Sequence, residues 1–160
     1  MACQSSSAPL LRPTNEAGTP NNNNDISTMT SGTIATLGAL KVVMGVACVA
    51  APRLSGKLFL LQLNPEAVIV MQLLGSGVAA LGALTWMLSR RATEGRVAKD
   101  ELRWAVMLNL AEDVADVVSC TVGFTSGMYG VGTMAMLGSG CAALAALGLG
   151  GLIGLSRKVE

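Results

Sequence analysis

Apolar residues along this chain of 160 gather into four long runs with short polar connections between them. The runs are TIATLGALKVVMGVACVAA (33–51), AVIVMQLLGSGVAALGALTWML (67–88), WAVMLNLAEDVADVVSCTVG (104–123) and VGTMAMLGSGCAALAALGLGGLIGL (131–155). Each is 19 to 25 residues long, enough at about 1.5 Å per residue to cross a hydrocarbon core about 30 Å thick. The pattern predicts an all-α fold, a bundle of four transmembrane helices. Between the first two runs, PRLSGKLFLLQLNPE (52–66) contains LFLLQL, which is too short to span and is expected to lie at the membrane interface. Residues 1–32 are rich in Ser, Thr, Asn and Pro, with no apolar segment long enough for a signal sequence, and read as a disordered cytoplasmic tail. Residues 156–160 form a short cytoplasmic C-terminus.

Orientation follows from the basic residues that flank the runs. With both termini on one side, that side collects Arg12, the five Lys and Arg of SRRATEGRVAKDELR (89–103), Arg157 and Lys158, against only Arg53 and Lys57 opposite. The positive-inside rule therefore puts both termini in the cytoplasm, with the endoplasmic reticulum as the default membrane. MQLLGSGVAALGAL (71–84) and MAMLGSGCAALAAL (134–147) agree at 10 of 14 positions without a gap. This echo implies two helix hairpins inserted in the same direction about a pseudo-two-fold axis along the membrane normal. It would set Ser76 and Ser139 at equivalent depths facing a shared interior. Small residues four apart, Gly75, Ala79 and Ala83, then Gly150 and Gly154, allow close helix approach in lipid, and the last two would permit a homodimer.

Composition agrees with a membrane protein: 51% of residues are hydrophobic, 13% are charged and 19 are Gly, with a mean hydropathy of +0.55. A net charge of +1 and only one Tyr and two Phe argue against nucleic acid as a partner. There is no His, which excludes imidazole metal sites and Ser/His/Asp triads. The four Cys, at 3, 48, 120 and 141, form no CxxC and are expected to act as small buried apolar residues. Cys48 and Cys120 lie at similar depth, and spacing alone does not decide whether they pair. No metal and no cofactor is expected.

The third run carries the candidate chemistry. At about 100° per residue, Ala105, Asn109, Glu112, Asp113, Asp116, Ser119, Cys120 and Gly123 fall on one polar-to-small stripe. Either this stripe faces protein or water inside the bundle, or the segment lies on the membrane as an amphipathic helix. Each charge inside a membrane costs roughly 2.5 to 3.5 kcal/mol, so three acids need a partner, a proton or a wet cavity. Lys41 lies at a matching depth on the first run, on a stripe with Gly38, Gly45 and Cys48, and is expected to pair with Glu112 or Asp113. One lysine cannot neutralise three carboxylates, so at least one acid is expected to hold a proton while a neighbour stays ionised, a competent general acid/base pair. Asp113, Asp116, Glu112 and Lys41 are the candidate catalytic residues, and Asn109, Gln72, Ser76 and Ser139 the candidate substrate-binding ones. The bland alternative is that all of these are polar glue between helices.

Four short spans, LLGSGVAALGAL in the second and a D-x-x-D (Asp113, Asp116) in the third make residues 33–155 resemble a class of small four-helix fungal integral membrane proteins, some of which accompany polyketide or terpenoid biosynthetic genes. The resemblance implies a tailoring step on a lipophilic intermediate: epoxide opening or hydrolysis, cyclisation or isomerisation. The first expectation is thus a cofactor-independent membrane enzyme of secondary-metabolite biosynthesis acting on a lipophilic small molecule. A small proton-coupled carrier or exporter and a non-catalytic membrane scaffold subunit are the alternatives.

Overall fold

The computed structural model describes residues 26–156. These residues form five helices and no strand: α1 (Thr28–Ala50), α2 (Pro52–Leu58), α3 (Pro65–Thr93), α4 (Lys99–Thr125) and α5 (Val131–Ser156). Most of the predicted tail, residues 1–25, and residues 157–160 lie outside the described residues.

α1, α3 and α4 start before their apolar runs, at Thr28, Pro65 and Lys99. Residues 28–32, expected within the tail, are helical, with Ser31 N–H donating to Ser27 O at 2.9 Å. Thr33 and Thr36 donate their hydroxyls to the Met29 and Gly32 carbonyls, which satisfies both hydroxyls within the helix. α3 starts at Pro65, where Asn64 accepts from the Ala67 N–H at 2.8 Å. α3 and α4 end at Gly95 and Gly127, with φ of 70° and 71°, each followed by a backbone bond that closes the last turn, Arg96 N to Arg91 O and Met128 N to Gly123 O. α2 ends the same way with a leucine, Leu60 at φ 58°, in the position that favours glycine. LFLLQL is therefore mostly a turn that follows a short helix. Its Leu60 carbonyl accepts from Thr133 Oγ1 at 3.3 Å, tying it to the start of α5.

Three helices, α1, α3 and α5, are long and apolar enough to cross a membrane and mark the chain as a membrane protein. Four were expected. α4, with 27 residues, is as long as the others, but Glu112, Asp113 and Asp116 make its central stretch too polar to qualify on apolarity.

The helices pack in the cyclic order α1, α3, α4, α5, with neighbours antiparallel, so α1 stands across the bundle from α4 and α3 across from α5. The α1–α3 seam is the tightest. Gly38 sits on Gly82 and Gly45 on Gly75, so closely that a Cβ on Gly82 would come within 2.7 Å of both Gly38 O and Lys41 Cβ. Only glycine admits such backbone contact. Gly154, half of the proposed dimer motif, packs against Thr30 of its own chain, while Gly150 is open. At the end of the bundle that holds both ends of the described chain, Ile34, Ala92, Leu102, Val106 and Leu155 form an apolar plug.

Candidate functional site

Midway along the bundle the apolar plug gives way to a polar layer. Lys41 lies thirteen residues beyond the first residue of α1, Thr28, and Glu112 thirteen beyond the first of α4, Lys99, so both stand about 20 Å along parallel helices. The lysine crosses the bundle to both acids, where a pair with one or the other was expected: Nζ is 2.6 Å from Glu112 Oε2 and 2.9 Å from Asp113 Oδ1. Lys41 is 1% exposed and Asp113 2%, whereas Glu112 is 28% exposed. Gly82 is what lets the lysine in, since its missing side chain would occupy the space of Lys41 Cβ.

Asn109, one turn from Asp113, is fully buried and donates from Nδ2 to Thr85 Oγ1 at 2.6 Å and to Ala105 O at 2.8 Å. Thr85 in turn donates to Leu81 O. Because Thr85 spends its proton on that carbonyl, it accepts from the amide, which fixes the orientation of Asn109. Two buried acceptors then have no hydrogen-bond partner among the described residues, Asn109 Oδ1 and Asp113 Oδ2. Such groups are costly in a low-dielectric interior and cluster where a protein binds or reacts. Thr85 and Ser89, both buried on α3, were not among the predicted site residues. Their signal in the sequence was two hydroxyls four apart in an apolar helix, on the face that also carries Gly82.

Beyond the polar layer, away from the plug, a cleft of about 200 Å³ opens between the helices. All four long helices line it, through Met44, Gly45 and Cys48 of α1, Met71, Leu74, Gly75 and Val78 of α3, Asp116 of α4, and Leu137, Gly140, Cys141 and Leu144 of α5. Phe59 and Leu61 of the turn after α2 line it as well. Asp116 is its one charged residue, is exposed, and takes part in no ion pair among the described residues. A second groove of about 420 Å³ runs down the α1–α5 seam and shares Met44, Cys48, Phe59, Gly140 and Leu144 with the cleft. There α1 and α5 part, having met nearer the plug at Thr30 with Gly154 and Ile34 with Gly151.

The other predicted residues are placed differently. Ser76 and Ser139 are exposed, and each returns its hydroxyl to a carbonyl of its own helix, Leu73 and Met136. They do not face a shared interior. Both copies of the repeat do line the cleft, but through the equivalent positions Leu74 and Leu137, and Val78 and Cys141. Ser76 is two residues from both Leu74 and Val78, about 200° round the helix, so it points away. Gln72 donates to Val49 O at 3.2 Å and closes the last turn of α1. On the α4 stripe, Ala105, Asn109, Asp113 and Gly123 are buried, Glu112 and Cys120 are half-buried, and Asp116 and Ser119 are exposed. Cys48, Cys120 and Cys141 are free thiols. No group of side chains among the described residues could hold a metal ion.

The chain matches no protein-family model, no curated protein and no solved structure.

Proposed function

We propose that this protein is a membrane-embedded, cofactor-independent tailoring catalyst that acts on a lipophilic intermediate of secondary metabolism, with Asp116 as the carboxyl that meets the substrate. The observation that carries the reading is the unpaired Asp116 in an otherwise apolar cleft, one turn from a buried Lys41–Asp113 pair. In this reading α4 is the fourth span, both termini are cytoplasmic, and the endoplasmic reticulum is the host membrane. The cross-bundle ion pair supports the fourth span, because it needs α4 to stand alongside α1 at equal depth. The substrate enters from lipid along the α1–α5 groove, whose walls are apolar.

Asp113, held by Lys41 and buried, is out of reach of a ligand in the cleft, so the acid and base roles fall on Asp116. For an epoxide, a protonated Asp116 donates to the ring oxygen as the C–O bond breaks. A water or an internal hydroxyl then attacks the carbon and returns its proton to the carboxylate. Lys41, Glu112 and Asp113 act as positioning residues that set the local field. The resemblance to fungal biosynthetic membrane proteins supports epoxide opening, cyclisation or isomerisation as the reaction class.

The test compares small-molecule extracts, from cells and medium separately, of hosts carrying the intact protein, a deletion, and Asp116→Asn. Catalysis predicts that deletion and substitution alike accumulate one lipophilic precursor and lose a mass-shifted or isomeric product. Unchanged compounds redistributed between cells and medium would mean a carrier. An unchanged profile with intact Asp116→Asn protein would leave only a scaffold.

A further inference from the structure

Charge around the polar layer and the cleft does not balance. Of the three carboxylates midway along α4, Glu112 and Asp113 share Lys41, and Asp116 is left without a cation among the described residues. Asp116 lies nine residues, about 14 Å, short of the end of α4 at Thr125, far from either end of the helix. A carboxyl at such a depth holds either a proton or a counter-charge, and it can give up the proton when a cation sits beside it. The rest of the cleft suits an organic cation. It offers the Phe59 ring and the soft sulfurs of Met44, Met71 and Cys141, groups that attract alkylated positive charge and compete poorly with water for small hydrated ions.

We infer that the cleft binds a lipophilic organic cation, with Asp116 as its counter-ion. The inference deepens the catalytic reading, on which it rests for the identity of the site. A proton handed from Asp116 to a substrate leaves a carboxylate facing positive charge, and a site complementary to that state binds a stable ammonium of similar shape. The substrate class is then a long apolar molecule whose charged or reacting centre is cationic.

The experiment uses the full chain in lipid nanodiscs and follows alkylation of Cys141 and Cys48 by N-ethylmaleimide, mapped by mass spectrometry. Decyltrimethylammonium and decanol, equal in chain length, serve as competing occupants. The ammonium should protect both cysteines at roughly tenfold lower concentration than the alcohol, a preference of the size seen for partly desolvated charge pairs. Asp116→Asn should abolish the preference and Asp116→Glu should keep it. Equal protection by ammonium and alcohol, no protection by either, or a preference that survives in Asp116→Asn would each overturn the inference. If Asp116→Asn does not accumulate, the ratio in the intact protein decides alone. Substrate conversion in the host without a charge preference would spare the catalytic reading and refute this one. A charge preference without conversion would do the reverse.

Discussion

Replacing Lys41 by Met removes the one cation of the polar layer while keeping an unbranched side chain one atom shorter. In the native bundle Lys41 holds Asp113 at 2.9 Å and Glu112 at 2.6 Å. Asp113 is the partner that matters more, being 2% exposed with one oxygen already unpartnered, whereas Glu112, at 28%, can turn outward. Removing one member of a buried pair costs about 3 to 5 kcal/mol, because the other is stranded. Lys41→Met should therefore destabilise the protein by about that amount. Asp113→Asn should cost less, about 1 to 3 kcal/mol, because Lys41 keeps Glu112. The double variant Lys41→Met/Asp113→Asn should recover part of the loss, with a coupling energy of about 1 to 3 kcal/mol.

The assay is reversible unfolding in mixed micelles with the four proteins of the cycle measured side by side. A Lys41→Met protein within about 0.5 kcal/mol of wild type, or a coupling indistinguishable from zero, would refute the buried pair. Water would then reach Asp113, and the placement of α4 alongside α1 would lose its main support.

Further substitutions test the packing and the topology. Gly45→Ala, which drives a Cβ into the backbone of α3, should cost about 1 to 3 kcal/mol in the same unfolding assay, while Gly77→Ala, open on all sides, should be neutral. Tyr129→Phe removes the hydroxyl that donates to Cys120 O at 2.5 Å and should cost about 1 kcal/mol, read as earlier thermal unfolding with the ring still seated on Gly123. Glycosylation acceptors placed in the 59–64 and 126–130 connections should both be modified in microsomes and one at 94–98 should not. Modification at 59–64 alone would mean that α4 lies on the membrane surface.

The all-helical fold, the order of the long helices and a Lys41 ion pair to the α4 acids were legible in the sequence, because they rest on local rules, run length and matching depth on parallel helices. The number of spans was not, since the α4 acids leave three helices and not four apolar enough. Nor were the ends of the helices, since residues 28–32 and 99–103 read as tail and polar connection yet are helical. The stripe on α4 was legible as a stripe, but not which of its acids would be enclosed. Asp113 and Asp116 are separated by about 300° of helix turn, near enough to share a stripe and far enough for one to meet Lys41 and the other the cleft. The serines of the repeat show that equivalent positions in two copies need not face a shared interior. A hydroxyl that bonds its own helix carbonyl needs no inward face.

The repeat also explains why a cleft exists at all. Its first copy carries Gly75 and Gly82, and these draw α3 onto Gly45 and Gly38 of α1 until the backbones touch. Its second copy carries Gly138 and Ala145 at the matching positions, and Gly138 faces Met134 of its own helix. The glycine approaches between α4 and α5 are then at Gly148 and Gly151, where an added Cβ would stand an ordinary 3.6 Å from Leu110 and from Val106. One hairpin is therefore closed by glycine and the other is held apart by side chains. Two equally tight hairpins would pack their repeat faces, Leu74 with Leu137 and Val78 with Cys141, directly together. With one seam loose, those faces stand apart as the walls of the cleft, and the space between them is where Asp116 finds no partner.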